Sequence, residues 1–165
     1  MNRHFIVLAI CISLCLALLG CQKVTNKSAP VATSAAVATR SPMETITIYS
    51  INSDTMSLIP VSVRKISNKN SLEYICSLVV ENMDEQDVLV TGCQKDGKNA
   101  IVSFADEKQP IKECSAQMEQ LILDAFANSI LDNVNDCTGV IFRCDGDAYK
   151  SENLSFERNE MYASD

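Results

Sequence analysis

Thiols and carboxylates are the side chains here that could do chemistry, because the 165-residue sequence holds eight cysteines and a single histidine, His4. Beyond residue 44 the thiols are Cys76, Cys93, Cys114, Cys137 and Cys144, an odd number that leaves one over if the rest pair among themselves. A zinc site would use short C-x-x-C pairs, and none occurs. If the segment after Cys137 is extended, Cys137 and Cys144 stand roughly 20 Å apart at about 3.3 Å per residue, too far for a bridge. Cys76 falls on the apolar stripe of an expected helix and reads as a small core residue. The set is compatible with reduced structural thiols and with at least one disulfide, which an exported domain can form.

The carboxylates are weighed in the same way. Asp132, Asp136, Asp145 and Asp147 cluster near expected helix and strand ends. A calcium site needs about six or more oxygens in a preformed loop. No such loop pattern is present, so these read as solvated caps and turns. Glu119 and Asp124 could form the carboxylate pair of a glycoside hydrolase, but the helical pattern puts both on the polar side of a helix, away from any cleft. Ser50, Ser62 and Ser103 have no nucleophile motif around them, and 84–87 reads as a charged, solvated loop. His4 lies in a segment expected to be removed, which leaves a mature chain without histidine and excludes His-based triads, bases and metal sites. With 14 Lys and Arg against 21 Asp and Glu, the formal charge of −7 also argues against nucleic acid. No catalytic residue, cofactor or metal ligand is assigned, and a non-enzymatic role is expected.

The elements that position these groups begin with an export signal over 1–20. Asn2-Arg3-His4 is a short positive region, and Phe5 to Leu19 is an almost unbroken apolar run. Such a run is short for a membrane span, which needs about 20 residues, and right for a signal-peptide core. Leu18-Leu19-Gly20-Cys21 resembles a bacterial lipobox, with Leu19 bulkier than the usual occupant. The resemblance implies that Cys21 becomes the lipidated mature N-terminus. Two acyl chains on it would hold the chain stably to the extracytoplasmic face of the cell membrane. Residues 21–44 then read as the lipidated Cys and a flexible Ser/Thr/Ala linker that cannot bury enough surface to order itself. It would span on the order of 25 Å as a tether. Residues 45–165 carry 10 basic and 20 acidic side chains, a balance that holds the domain off an anionic bilayer.

The folded part alternates strands and helices. Thr45 to Ile51 is β-branched and aromatic, and Leu58 to Ile66 reads as a second strand, with Pro60 marking an edge or an irregular start. Asn70 with Glu73 resembles a capping box, followed by a helical stripe of Leu72, Ile75, Cys76, Val79, Val80 and Met83. Val88 to Thr91 is a short strand or an extended link. Asp96-Gly97 predicts a hairpin turn into the strand Ala100–Phe104. A second helix is expected over about 115–131, with Met118, Leu121, Ile122, Ala125, Phe126, Ser129 and Ile130 inward. Val140 to Cys144 is the last strand. Residues 151–165 form a polar C-terminal tail with isolated Leu154, Phe156 and Tyr162, which either covers a sheet edge or frays. The order ββαββαβ gives an α+β single domain, a mixed sheet of about four to five strands with two helices packed on one face.

Residues 45–150 resemble the GerMN (sporulation and germination) domain of bacterial lipoproteins. The resemblance is carried by the order of Thr45-Ile46-Thr47-Ile48-Tyr49, Leu58-Ile59-Pro60-Val61, the helix Leu72–Met83, Asp96-Gly97 leading into Ala100-Ile101-Val102-Ser103-Phe104, and the helix at 115–131. It is most specific at Gly139-Val140-Ile141-Phe142 running to Asp145-Gly146. The resemblance implies a non-enzymatic assembly module, of a kind that builds rings or platforms between membranes during sporulation, with no cofactor and no catalytic residue. Expected partners are the bilayer through acylated Cys21, and spore or cell-envelope proteins, including self-association. The alternative is a lipoprotein that binds cell wall or a small ligand.

Overall fold

β-Branched and aromatic residues open the fold as an antiparallel hairpin of β1 (Thr45–Asn52) and β2 (Ser57–Arg64). This is a computed structural model, and it describes residues 44–66, 71–83 and 85–163. The expected signal peptide, Cys21, most of the linker and Asn70 lie outside the described residues. After the hairpin come α1 (Leu72–Glu81), β3 (Val90–Asp96), β4 (Asn99–Phe104), α2 (Ala116–Asn133), β5 (Gly139–Cys144) and a short β6 (Asp147–Ala148). The fold is α+β, in the expected order ββαββαβ followed by β6.

The strands divide between a two-stranded sheet, β1-β2, and a four-stranded mixed sheet, β3-β4-β5-β6, in which only the β4–β5 pair is parallel. The hairpin stays separate because helix side chains already occupy the free edge of β1. The Tyr49 N–H donates to Ser129 Oγ at 2.9 Å, and Asn133 Nδ2 donates to the Thr47 carbonyl at 2.7 Å. With those groups of β1 turned toward α2, the Tyr49–Pro60 pair is a non-hydrogen-bonded position of the ladder. The N–H that Pro60 lacks would have pointed to solvent, so proline here costs no ladder bond.

Local chemistry sets the element ends. α1 starts at Ser71, whose side chain accepts from the Tyr74 N–H at 3.3 Å. The cap is therefore Ser71 rather than the Asn70–Glu73 box expected from the spacing, since a serine next to the first apolar residue can cap equally well. Ser115 caps α2 by accepting from the Met118 N–H at 3.2 Å. The β3–β4 hairpin turns through Gly97 at φ +59°, the positive dihedral that a two-residue turn with glycine first requires. Gly139 opens β5 where a Cβ would come within 2.8 Å of Asn99 Oδ1 and 2.9 Å of Met161 Sδ, so the smallest residue keeps the β4–β5 register close.

One face of the larger sheet, with Ala100, Val102 and Phe104 of β4 and Val140 and Phe142 of β5, joins Ile75 and Val79 of α1 and Ile122 and Phe126 of α2 in a single core. Both helices pack on that face. Phe104 sits at the centre, edge-on to Phe126 at 5.2 Å and 80° and tilted to Phe142 at 5.7 Å. Such ring pairs add to the gain from area burial alone. Truncating Phe126 to alanine is expected to cost about 3–5 kcal/mol by chemical denaturation. A loss below about 1 kcal/mol would place the folding core elsewhere.

Candidate functional site

α2 is buried around most of its circumference, with Ile122 to Ala127 all inside. Among them Glu119 is 0% exposed and Asp124 is 8% exposed. The helical pattern had put both carboxylates on a polar, outward side. The structure corrects this, because the C-terminal segment lies over that side. Tyr149 Oη donates to Glu119 Oε1 at 2.6 Å, and Asn153 Nδ2 donates to Glu119 Oε2 at 2.8 Å and to the Cys114 carbonyl at 3.0 Å. Tyr162 Oη donates to Asp124 Oδ1 at 2.8 Å. A carboxylate out of water is strongly penalised unless donors replace its hydration, and the tail brings those donors. The expected tail is thus built into the fold up to residue 163. The Tyr162 N–H bonds the Val140 carbonyl at 2.8 Å, and the Tyr162 ring lies edge-on to both Phe142 and Phe156.

This arrangement shifts two acids. Burial, and then the hydrogen bond to Glu119, pushes the Tyr149 hydroxyl well above the ordinary tyrosine range. Burial followed by the charge of Glu119 lifts the Cys114 thiol to about 11. Glu119 and Asp124 are held by the tail, and neither lines the grooves described next.

A groove of about 390 Å³ runs between α1 and the start of the larger sheet. From α1 it takes Glu73, Cys76, Ser77, Val80 and Glu81, and from the facing strand Val88 to Cys93. Its apolar character follows from the two elements. The stripe of α1 points at the sheet, and the facing strand is bulged between Val90 and Gly92 where it lines the groove. Leu89 stays 49% exposed at the rim. Cys76 is buried and Cys93 half-buried, and the two thiols line the same groove as neighbours. The neighbouring Cys93, and then burial, hold the Cys76 thiol far above the normal thiol range. Cys93 is lowered by Cys76, against an opposing push from burial and Glu73. The spacing of the sequence did not bring this pair together. A signal existed in the placement of Cys76 on the inward stripe, but the partner appears only once α1 is known to lie on β3.

A second, more polar recess of about 310 Å³ lies beneath the β1–β2 turn and is lined by residues that include Asn52, Asp54, Asn82 and Glu85. The aspartates expected at element ends are there. Asp132 accepts from Tyr49 Oη at 3.0 Å, and Asp136, Asp145 and Asp147 are exposed, Asp147 3.7 Å from Arg158. Among the described residues no group of three His, Cys, Asp or Glu side chains is placed to hold a metal ion. Ser50 donates to the Asn82 carbonyl, while Ser62 is exposed and Ser103 half-buried. Cys137 is buried and donates to the Gly139 carbonyl at 3.4 Å, and Cys144 closes the far end of β5.

Compared with known proteins, the chain matches no family model, no curated protein and no solved structure.

Replacing Tyr149 by phenylalanine removes one donor and leaves a buried Glu119 oxygen unpaired, at an expected cost of about 1–3 kcal/mol at neutral pH. It should also change the alkaline limb. In the wild type the folded state keeps the Tyr149 proton above the pH at which the unfolded chain loses it. The Tyr149 contribution to stability is therefore full below about pH 10 and is lost as pH rises further. In Tyr149→Phe the alkaline fall should be shallower, leaving the contributions of the raised thiols Cys76, Cys114 and Cys144 and of Tyr49. Denaturation curves from pH 7 to 11 read both effects, and identical limbs in the two proteins would contradict the assignment.

Proposed function

We propose that this chain is an extracytoplasmic lipoprotein, anchored to the cell membrane through acylated Cys21. On this reading its folded part is a non-enzymatic interaction module of the spore or cell envelope, similar to GerMN domains. The observation that carries the reading is Leu18-Leu19-Gly20-Cys21 at the end of an apolar run, followed by a Ser/Thr/Ala-rich stretch and then an acidic sequence. Three features of the fold support it. The element order on which the resemblance rests is the order of the fold. The two carboxylates that spacing offered for hydrolysis serve internally, holding the tail. The strand edges are guarded, with β1 closed by Ser129 and Asn133, β2 blunted by Pro60, and β3 bulged between Val90 and Gly92. Contacts with a partner then fall on side-chain surfaces, such as the groove rim opposite α1 where Leu89 is exposed, rather than on an added strand.

A second reading, a lipoprotein that binds cell wall or a small ligand, is favoured by the apolar groove beside α1, whose volume lies within the range of small-molecule sites. The two readings separate by thermal shift. A ligand at about 100 times its Kd adds about 2.7 kcal/mol to the state that binds it, so a clear rise in Tm with muropeptides or small metabolites would move the assignment to ligand binding.

The anchor is tested by labelled palmitate and fractionation. The wild type is expected to take up label and pellet with membranes, whereas Cys21→Ser takes up none and becomes soluble. An unlabelled wild type whose membrane attachment survives Cys21→Ser would overturn the anchor. For the module, light scattering and pull-down of the full chain in detergent should show self-association or a captured envelope protein, and a strict monomer that captures nothing counts against it.

A further inference from the structure

We propose that Cys76 and Cys93 are a working dithiol, which closes to a disulfide by exchange with an external disulfide and so locks α1 to β3. Cys93 is the attacking thiol and Cys76 the resolving one.

The placement comes from the fold. Cys76 lies on the inward stripe of α1, within the core. Cys93 lies opposite Val102 in the β3–β4 ladder, so its side chain shares the sheet face that Val102 turns to the helices. Both thiols line the same groove, on two elements that already pack together, and Cys93 packs against the core that contains Cys76. That shared placement is what a bridge between a helix and its facing strand requires. Cys114, Cys137 and Cys144 have no thiol partner of this kind among the described residues. Cys137 spends its S–H on the Gly139 carbonyl, and burial is the main influence on Cys114 and Cys144.

The order of attack follows from access. Cys76 is 2% exposed, whereas Cys93 is half-buried at the groove mouth. The neighbouring Cys76 also shifts Cys93 toward the thiolate, the reactive form. Cys93 as thiolate attacks one sulfur of the external disulfide, whose S–S bond breaks and releases one thiolate. The Cys76 thiol gives its proton to that thiolate and attacks Cys93 Sγ. The mixed disulfide breaks, and the second thiolate leaves and takes from water the proton that Cys93 had released. One external disulfide is reduced to two thiols, and two protein thiols are oxidised to one disulfide. The groove gives the external disulfide its entry, with Val80 and Leu89 as apolar walls.

The proposal does not rest on membrane anchorage, so purified full-length chain suffices. Reduced chain is incubated with oxidised glutathione, quenched in acid, alkylated without reduction and digested. The expected product joins the Cys76 and Cys93 peptides and is lighter by two hydrogens. The bridge should raise Tm by about 10 °C over the reduced chain, as expected for a loop of this size. In Cys76→Ser the intermediate cannot resolve, so glutathione should remain on Cys93. In Cys93→Ser, Cys76 should take up neither glutathione nor, before unfolding, the alkylating reagent. Full alkylation of Cys76 and Cys93 in the wild type, or linkage of either to another cysteine, would overturn the pair. Glutathione accumulating on Cys76 in Cys93→Ser and not on Cys93 in Cys76→Ser would overturn the order. The wild-type linkage map stands even if a serine variant fails to fold.

Discussion

A helix buried on nearly every side must find partners for its polar side chains, and the way α2 does so organises this protein. Glu119, Asp124, Ser129 and Asn133 each pair with a segment remote in sequence. The first two take donors from the tail. The last two satisfy the backbone of β1. Each pairing answers a desolvation cost that an isolated helix could not meet, so tail and hairpin are bound to the same axis by chemistry that apolar packing alone would not specify. The rings of Phe104, Phe126 and Phe142 supply the bulk of the core, and the polar pairs decide what covers it.

The same constraint explains the split sheet. A hairpin next to an open sheet would ordinarily extend it, but the β1 edge is already spent on α2. Its partner β2 tolerates Pro60 because the missing donor would have faced solvent. Guarded edges prevent the stray strand pairing by which open sheets aggregate. They leave the groove between α1 and β3 as the larger apolar opening, and the reactive thiols lie there.

Much of the fold was legible in the sequence. The periodicities gave both helices and the main strands. The Asp96-Gly97 turn and the inward stripe from Ile122 to Ile130 follow directly from local rules. What stayed hidden was long-range. Glu119 and Asp124 look like solvent-facing residues until a segment about 30 residues onward covers them, and no helical period records a cover. The cap moved from Asn70 to Ser71 because adjacent polar residues compete for one position. Cys93 carries no local mark, since its role depends on which helix lies across its strand. For the two carboxylates and for Cys93 the deciding partner sits on another element.

The most direct test of this account is native-state hydrogen exchange on the full chain. If the tail is fastened through Glu119 and Asp124, the amides of Tyr162 and Phe156, bonded to the carbonyls of Val140 and Tyr149, should exchange in the slow class alongside those of α2. Exchange of the Tyr162 and Phe156 amides at the rate of a frayed terminus, while α2 stays protected, would contradict it.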